Sequence, residues 1–256
     1  MEFSNKYILG FALGLCLVCS TAVSSIAAGL KERQEANQLF DKQVKVLRVA
    51  QLISPDEKPH SSQVEHAFQD IAVLVFDQAT AAPTQVDDVW KFDPRKTEMT
   101  FPKEEDAWGQ RAKKIGLKSM PKTLIAYQIK TPGKECLVLP IYGNGLWSLL
   151  RGFLAIDLSK GKVIGITFYE HGETAGLGAE IENPRWQAQW PGKACFDNQG
   201  RPVLNVVKQG KVLSPEFEVD GISGATITSV AVGNIVKLWL GSSGYGPFLQ
   251  KMREVN

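Results

Sequence analysis

The longest apolar run in the chain comes first. From Tyr7 to Leu30 the sequence reads YILGFALGLCLVCSTAVSSIAAGL, 24 residues without a charged side chain, closed by Lys6 and Lys31. As a helix it is about 36 Å long, enough to cross a hydrocarbon core of about 30 Å with some tilt. Residues 1–30 therefore read as a transmembrane anchor, with the span over 7–30. A cleaved signal peptide is the rival, because Ser25-Ile26-Ala27-Ala28 offers small residues near a cleavage point. Against it, the run exceeds the usual apolar region of a signal peptide and only Lys6 precedes it.

Past the anchor the periodicity changes. Phe40, Val44 and Leu47 stand at i, i+4 and i+7 among acids and bases, which predicts a stalk helix over 31–54 ended by Pro55. Residues 55–121 form an uneven, polar α/β subregion expected to pack on the main domain, with Val73–Phe76 as its one clear strand. From 122 onward the pattern becomes regular. Leu124–Ile129 and Cys136–Leu139 read as strands joined across Thr131-Pro-Gly-Lys134, and Gly152–Asp157 and Lys162–Phe168 flank a turn at Ser159-Lys-Gly161. Pro202–Val206 reads as a further strand. Ile227, Val230, Ala231, Ile235 and Leu238 keep helical spacing up to Gly241, a natural residue just past a helix end. The pattern as a whole is α+β, with a mainly antiparallel sheet flanked by helices in a domain over 122–256.

Composition narrows the function classes. Of 256 residues, 44% are hydrophobic and 22% charged, which excludes a disordered chain. A mean hydropathy of −0.11 excludes a polytopic membrane protein. The net charge of +2 is too small for a nucleic-acid binder, so no nucleic-acid partner is expected. Lys31, Arg33, Lys42, Lys45 and Arg48 outnumber Lys6, which would keep the soluble part in the cytoplasm, but Glu32, Glu35 and Asp41 alternate with them and leave orientation open. Cys16 and Cys19 read as small thiols inside an apolar helix. Cys136 and Cys195 read as separate core residues, although two cysteines in an oxidising compartment are free to pair.

The chemistry concentrates before the last long helix. Asp220-Gly-Ile-Ser-Gly-Ala-Thr-Ile-Thr-Ser229 crowds hydroxyls around a helix start, where free N–H groups and the helix dipole favour a phosphate. Plain N-capping by Asp, Ser or Thr is the other reading of the same residues. Asp220, Ser223, Gly224, Ala225 and Thr226 resemble the motif recognised by bacterial flavin transferases, in which the final Thr receives FMN as a phosphodiester from FAD. Glu173-Thr174-Ala175-Gly176-Leu177-Gly178 resembles the E-T-P-G-L-G loop of the FMN-binding domain family, with Ala175 where Pro is usual. Gly143-Asn-Gly-Leu-Trp147 resembles that family's stretch before the hairpin, and Tyr142 and Trp147 are candidates to wall a flavin pocket or to pack in the core. Glu170, His171 and Glu173 also raise a metal site, which their crowding on one turn disfavours.

With the anchor and stalk in front, the chain is similar to the C subunits of bacterial sodium-translocating NADH:quinone reductases. The resemblance implies covalent FMN on Thr226 and Asp220, Ser223, Gly224, Ala225, Glu173, Thr174, Gly176, Leu177, Gly178, Tyr142 and Trp147 around it. It also implies an electron-transfer role without a catalytic site in this chain, in a complex that oxidises NADH, reduces ubiquinone and exports sodium. Its partners would be the other membrane and flavin subunits, a flavin transferase during maturation, and membrane lipid. The location implied is the inner membrane, with the flavin domain on the periplasmic side. The G-type flavin subunit of ion-translocating ferredoxin:NAD oxidoreductases carries the same motif and is one alternative; an anchored binding module without redox activity is the other.

Overall fold

The computed structural model describes residues 4–255 apart from 55, 88, 90–91 and 102–106. The chain divides into two compact units, Met1–Lys42 and Gln43–Asn256. Helix α1 (Asn5–Val49) begins in the first and ends in the second. Within the first unit its apolar side chains, Phe11, Leu15 and Val18 among them, are exposed, as lipid-facing groups of a span would be. It is the one helix among the described residues long and apolar enough to cross a membrane.

In the second unit Val44, Val46, Leu47 and Val49 of α1 are buried. The stalk expected to reach Ser54 stops at Val49, because Gln51 takes the left-handed conformation (φ 57°). Leu52 N–H then donates to Leu47 C=O and Gln51 N–H to Arg48 C=O, the two bonds of a Schellman stop. Glycine usually marks such a stop, and here a glutamine occupies it.

Helix α2 (Ser61–Gln69) leads into β1 (Ile71–Asp77), which contains the strand expected at Val73–Phe76. The short strands β2 (Met99–Thr100) and β3 (Met120–Pro121) pair around α3 (Ala107–Lys114). Then come β4 (Thr123–Ile129), β5 (Cys136–Asn144), β6 (Leu149–Asp157) and β7 (Lys162–Glu170), all antiparallel, giving one sheet of order β1-β4-β5-β6-β7. After β7 follow a 3₁₀ turn at Gly178–Glu182 and α4 (Pro184–Gln187). Of the strand expected over Pro202–Val206 only β8 (Asn205–Val206) forms, paired in parallel with β9 (Glu218–Val219). Helix α5 (Thr226–Leu240) has the bounds its spacing predicts, and α6 (Gly246–Val255) closes the chain. Gly241 follows α5 with φ −79°, so it is not a left-handed cap.

The core lies between α5 and the sheet, where Val232, Ile235, Val236 and Trp239 meet Leu139, Ile141 and Leu154. Gly143 of β5 permits the approach: a Cβ there would lie 2.6 Å from the Ile235 side chain. Cys136 and Cys195 are buried free thiols, and burial pushes each up to about 12.

Pro140 sits in the middle of β5 and brings no N–H to the ladder. Pairing of β5 with β4 accordingly covers only Cys136–Val138 against Tyr127–Ile129. The buried Tyr245 hydroxyl fills the next step of the ladder, 3.1 Å from the Ile125 carbonyl and 2.8 Å from that of Pro140. The β7 edge is closed by side chains of the α1 end: Lys45 Nζ donates to Phe168 C=O (3.1 Å), and Gln51 Nε2 to Ile164 C=O (3.1 Å). Gly165 lets that segment approach, since a Cβ there would meet Val49 C=O at 2.9 Å.

Tyr245→Phe removes the single O–H proton that the two carbonyls share and is expected to cost about 1–3 kcal/mol. Denaturant unfolding of the purified full chain measures it; a loss below half a kilocalorie would remove Tyr245 from the ladder.

Candidate cofactor site

Three loops meet at one end of the sheet: 145–148 between β5 and β6, 171–178 after β7, and 220–225 before α5. Glu173 joins them. Its carboxylate accepts the backbone N–H groups of Leu146 (3.3 Å), Trp147 (2.9 Å) and Ser148 (3.2 Å), and the Thr228 hydroxyl donates to it at 2.5 Å. The residue is 7% exposed. Two glycines make room for it. A Cβ on Gly145 would lie 2.7 Å from Oε1, and one on Gly178 would lie 2.7 Å from Oε2 and 2.8 Å from Thr228 Oγ1. Burial alone would raise its pKa, but the Thr228 hydroxyl and the three amides together hold it below the ordinary glutamate value. Ser148 Oγ ties the same loops again by accepting Gly172 N–H at 2.5 Å.

This arrangement sorts the four hydroxyls at the start of α5. Thr228 is turned inward onto Glu173. Ser229 Oγ donates to Ala225 C=O and accepts Ile222 N–H, both at 2.9 Å, and both residues are fully buried. Ser223 and Thr226 remain exposed. The N-cap residue is Ala225, which supplies no side-chain hydrogen bond. An alanine is among the poorest caps, and among the described residues no side chain accepts the first N–H groups of α5. The capping that the sequence allowed for Asp, Ser and Thr is therefore made by none of them. An uncapped helix start presents aligned donors and a positive dipole end to an anion.

Apolar side chains stand exposed beside it. Trp147 is 70% exposed, and Leu146, Leu177, Ile227 and Val230 are also open to solvent. Leu177 leans on Gly224, where a Cβ would meet it at 2.9 Å and where φ is +71°, a left-handed value that favours glycine. Gly176 takes a similar φ of +73° at the tip of the turn in which Thr174 C=O receives Leu177 and Ala179 N–H, both at 3.1 Å. Asp220 faces the other way: its carboxylate accepts Gly210 N–H at 2.7 Å and its carbonyl accepts Trp186 Nε1–H at 2.9 Å, fixing the turn from behind. Beside Ser223 and Gly176 a shallow groove of about 360 Å³ opens over Ile222 and Trp186, with Arg185 at its edge. A larger groove of about 1020 Å³ lies at the opposite end of β5, around the 158–161 turn, and contains none of the expected site residues.

Ser223, Gly224, Thr226, Glu173, Gly176, Leu177, Gly178 and Trp147 are thus brought to one place, with Ala225 buried beneath. Tyr142 is not among them. It packs on Trp239, ring centroids 4.7 Å apart, and Trp239 is about 20 Å along α5 from Thr226. The residues of the metal reading part company: Glu170 pairs with Arg151, His171 Nε2 lies 3.7 Å from Glu182, and Glu173 is enclosed. Gly145 and the inward role of Thr228 were not read from the sequence; the G-N-G-L-W stretch and the hydroxyl crowding held the only signals.

The lowered value of Glu173 carries a pH consequence. Its contribution to stability is complete above the unfolded glutamate pKa and is lost as the pH falls through the lower folded value. Glu173→Gln is expected to cost about 1–3 kcal/mol at neutral pH and to flatten that acid-side decline. Thermal unfolding of both proteins from pH 7 to pH 3 measures the difference; parallel curves would show that Glu173 does not titrate as described.

The FMN-binding domain family matches residues 145–241, which contain all three loops. The C subunit of the Na(+)-translocating NADH-quinone reductase from Vibrio vulnificus is 39% identical over 255 residues, covering 98% of this chain and 96% of that protein. Its counterpart from Yersinia pestis is 40% identical over 246 residues, 94% of this chain and 90% of its own. The crystal structure of NqrC from Shewanella oneidensis superposes with a TM-score of 0.74 at 26% identity, over 86% of this chain and 99% of that one. A likeness that runs nearly the whole length of both chains, together with the domain match over the three convergent loops, shows that this chain belongs to the family of C subunits of Na(+)-translocating NADH-quinone reductases.

Proposed function

We propose that this chain is an electron-transfer subunit that carries FMN as a phosphodiester on Thr226, in a membrane complex that oxidises NADH, reduces ubiquinone and exports sodium. The observation that carries the reading is the state of Thr226: an exposed hydroxyl on the first turn of an uncapped helix, while Thr228 and Ser229 are buried and engaged. In maturation the Thr226 hydroxyl attacks the riboflavin-side phosphorus of FAD, its proton leaves, and AMP departs, with a flavin transferase as catalyst. The first-turn N–H groups of α5 would hold such a phosphate.

The residues present fit such a group. Leu177, Trp147, Leu146 and Ile227 offer apolar faces beside the attachment point, and the Gly176 turn lets backbone approach a ring edge. FMN, when bound, supplies the redox chemistry; the chain's residues hold it, orient it and keep water from its faces. A covalent link suits a compartment that does not resupply free FMN, which supports a periplasmic flavin domain on an inner-membrane anchor. The other membrane and flavin subunits would be its partners. The near full-length likeness to C subunits favours this reading over the G-type flavin subunit.

Ultraviolet fluorescence of the denatured protein in a gel, after expression with a flavin transferase, tests the attachment. Wild type is expected to glow, Thr226→Ala to be dark, and Thr228→Ala to keep its band. A dark wild-type band would leave a non-redox binding module as the reading, and a dark Thr228→Ala with a bright Thr226→Ala would move the site.

A further inference from the structure

Resemblance counts Glu173 among the residues that contact the cofactor, yet the structure leaves it no free lone pair directed outward. Oε1 accepts Trp147 and Ser148, and Oε2 accepts Leu146 and Thr228. The backbones at Gly145 and Gly178 close over it. The segments it joins are 25 to 27 and 55 residues away in the chain. All four donors are neutral, and among the described residues no cation forms an ion pair with it. Thr228, its hydroxyl donor, lies two residues beyond Thr226, about 3 Å along the helix axis.

We infer that Glu173 is the positioning residue of the flavin site: it fixes the Trp147 loop against the first turn of α5, and its uncompensated negative charge lowers the reduction potential of a flavin carried on Thr226. The inference rests on Thr226 being the carrier. The charge acts because adding electrons to a ring beside a fixed, poorly screened carboxylate is opposed electrostatically. The same charge faces the positive end of α5 and offsets part of the field which that end would otherwise present to the flavin. Holding the carboxylate below its ordinary titration range keeps the charge constant under working conditions.

The test uses the full-length chain, expressed with a flavin transferase and purified in detergent, with redox titration followed by flavin absorbance. Glu173→Gln keeps the shape and removes the charge; its midpoint potential is expected to shift upward. Thr228→Val removes one donor and keeps the charge; no upward shift is expected. Equal potentials in Glu173→Gln and wild type overturn the inference, as does an equal upward shift in both variants, which would assign the effect to loop displacement. If Glu173→Gln folds by circular dichroism but takes up no flavin, or does not fold, Glu173→Asp decides. Flavin loading at a potential no higher than wild type upholds the inference, and a dark or upward-shifted Asp protein overturns it. A wild-type protein without covalent flavin would instead refute the proposed function itself.

Discussion

A carboxylate removed from water has to find donors, and meeting that demand shapes one whole end of this protein. Glu173 draws three consecutive amides of the Leu146–Ser148 loop inward. Residues 145 and 178 must be glycine for the loops to close on it. Thr228 must turn toward it. Positions 226 and 228 are about 200° apart around a helix, so a helix that points Thr228 inward points Thr226 out. The accessible hydroxyl is thus a consequence of the buried acid. Trp147 owes its exposed side chain to the same bond, because its backbone is held while its indole is left outside.

The rest of the fold supplies the sheet on which this cluster stands. Each break in the sheet is answered by a side chain from elsewhere. Tyr245 occupies the rung that Pro140 cannot make, and Lys45 and Gln51 cover carbonyls on the open side of β7. An uncovered strand edge invites pairing with other chains. Here the covering groups come from the end of the membrane helix, so one segment both leaves the anchor and seals the sheet. β7 then runs directly into the loop that carries Glu173.

Elements governed by local periodicity were legible in the sequence. The bounds of α5 follow from Ile227, Val230, Ala231, Ile235 and Leu238, and the β6–β7 hairpin from its Ser-Lys-Gly turn. The end of α1 was not legible, because its stop depends on Gln51 adopting a conformation that Gln seldom takes; Pro55 was the visible signal and lies too late. The strand at Pro202–Val206 shrank because its partner, β9, offers only two residues. In the site, motif likeness named residues most of which the fold brings to one place. It could not separate those that face outward from those that work from beneath, since Glu173 and Thr174 are neighbours in the loop but lie on opposite sides of the surface. Tyr142 was proposed from the company of Trp147; strand alternation and the Trp239 ring take it elsewhere.

The occupation of Thr228 and Ser229 bears on stoichiometry. A modifying enzyme that meets a cluster of hydroxyls faces a counting problem: two flavins on adjacent turns would crowd one another and exchange electrons unproductively. For the proposed carrier, the fold answers this in advance. Two of the four hydroxyls are spent on internal bonds, and Ser223 lies on the turn ahead of the helix. Of the three hydroxyls on the first turn of α5 only Thr226 is left exposed, so the proposed carrier has one helix position to load.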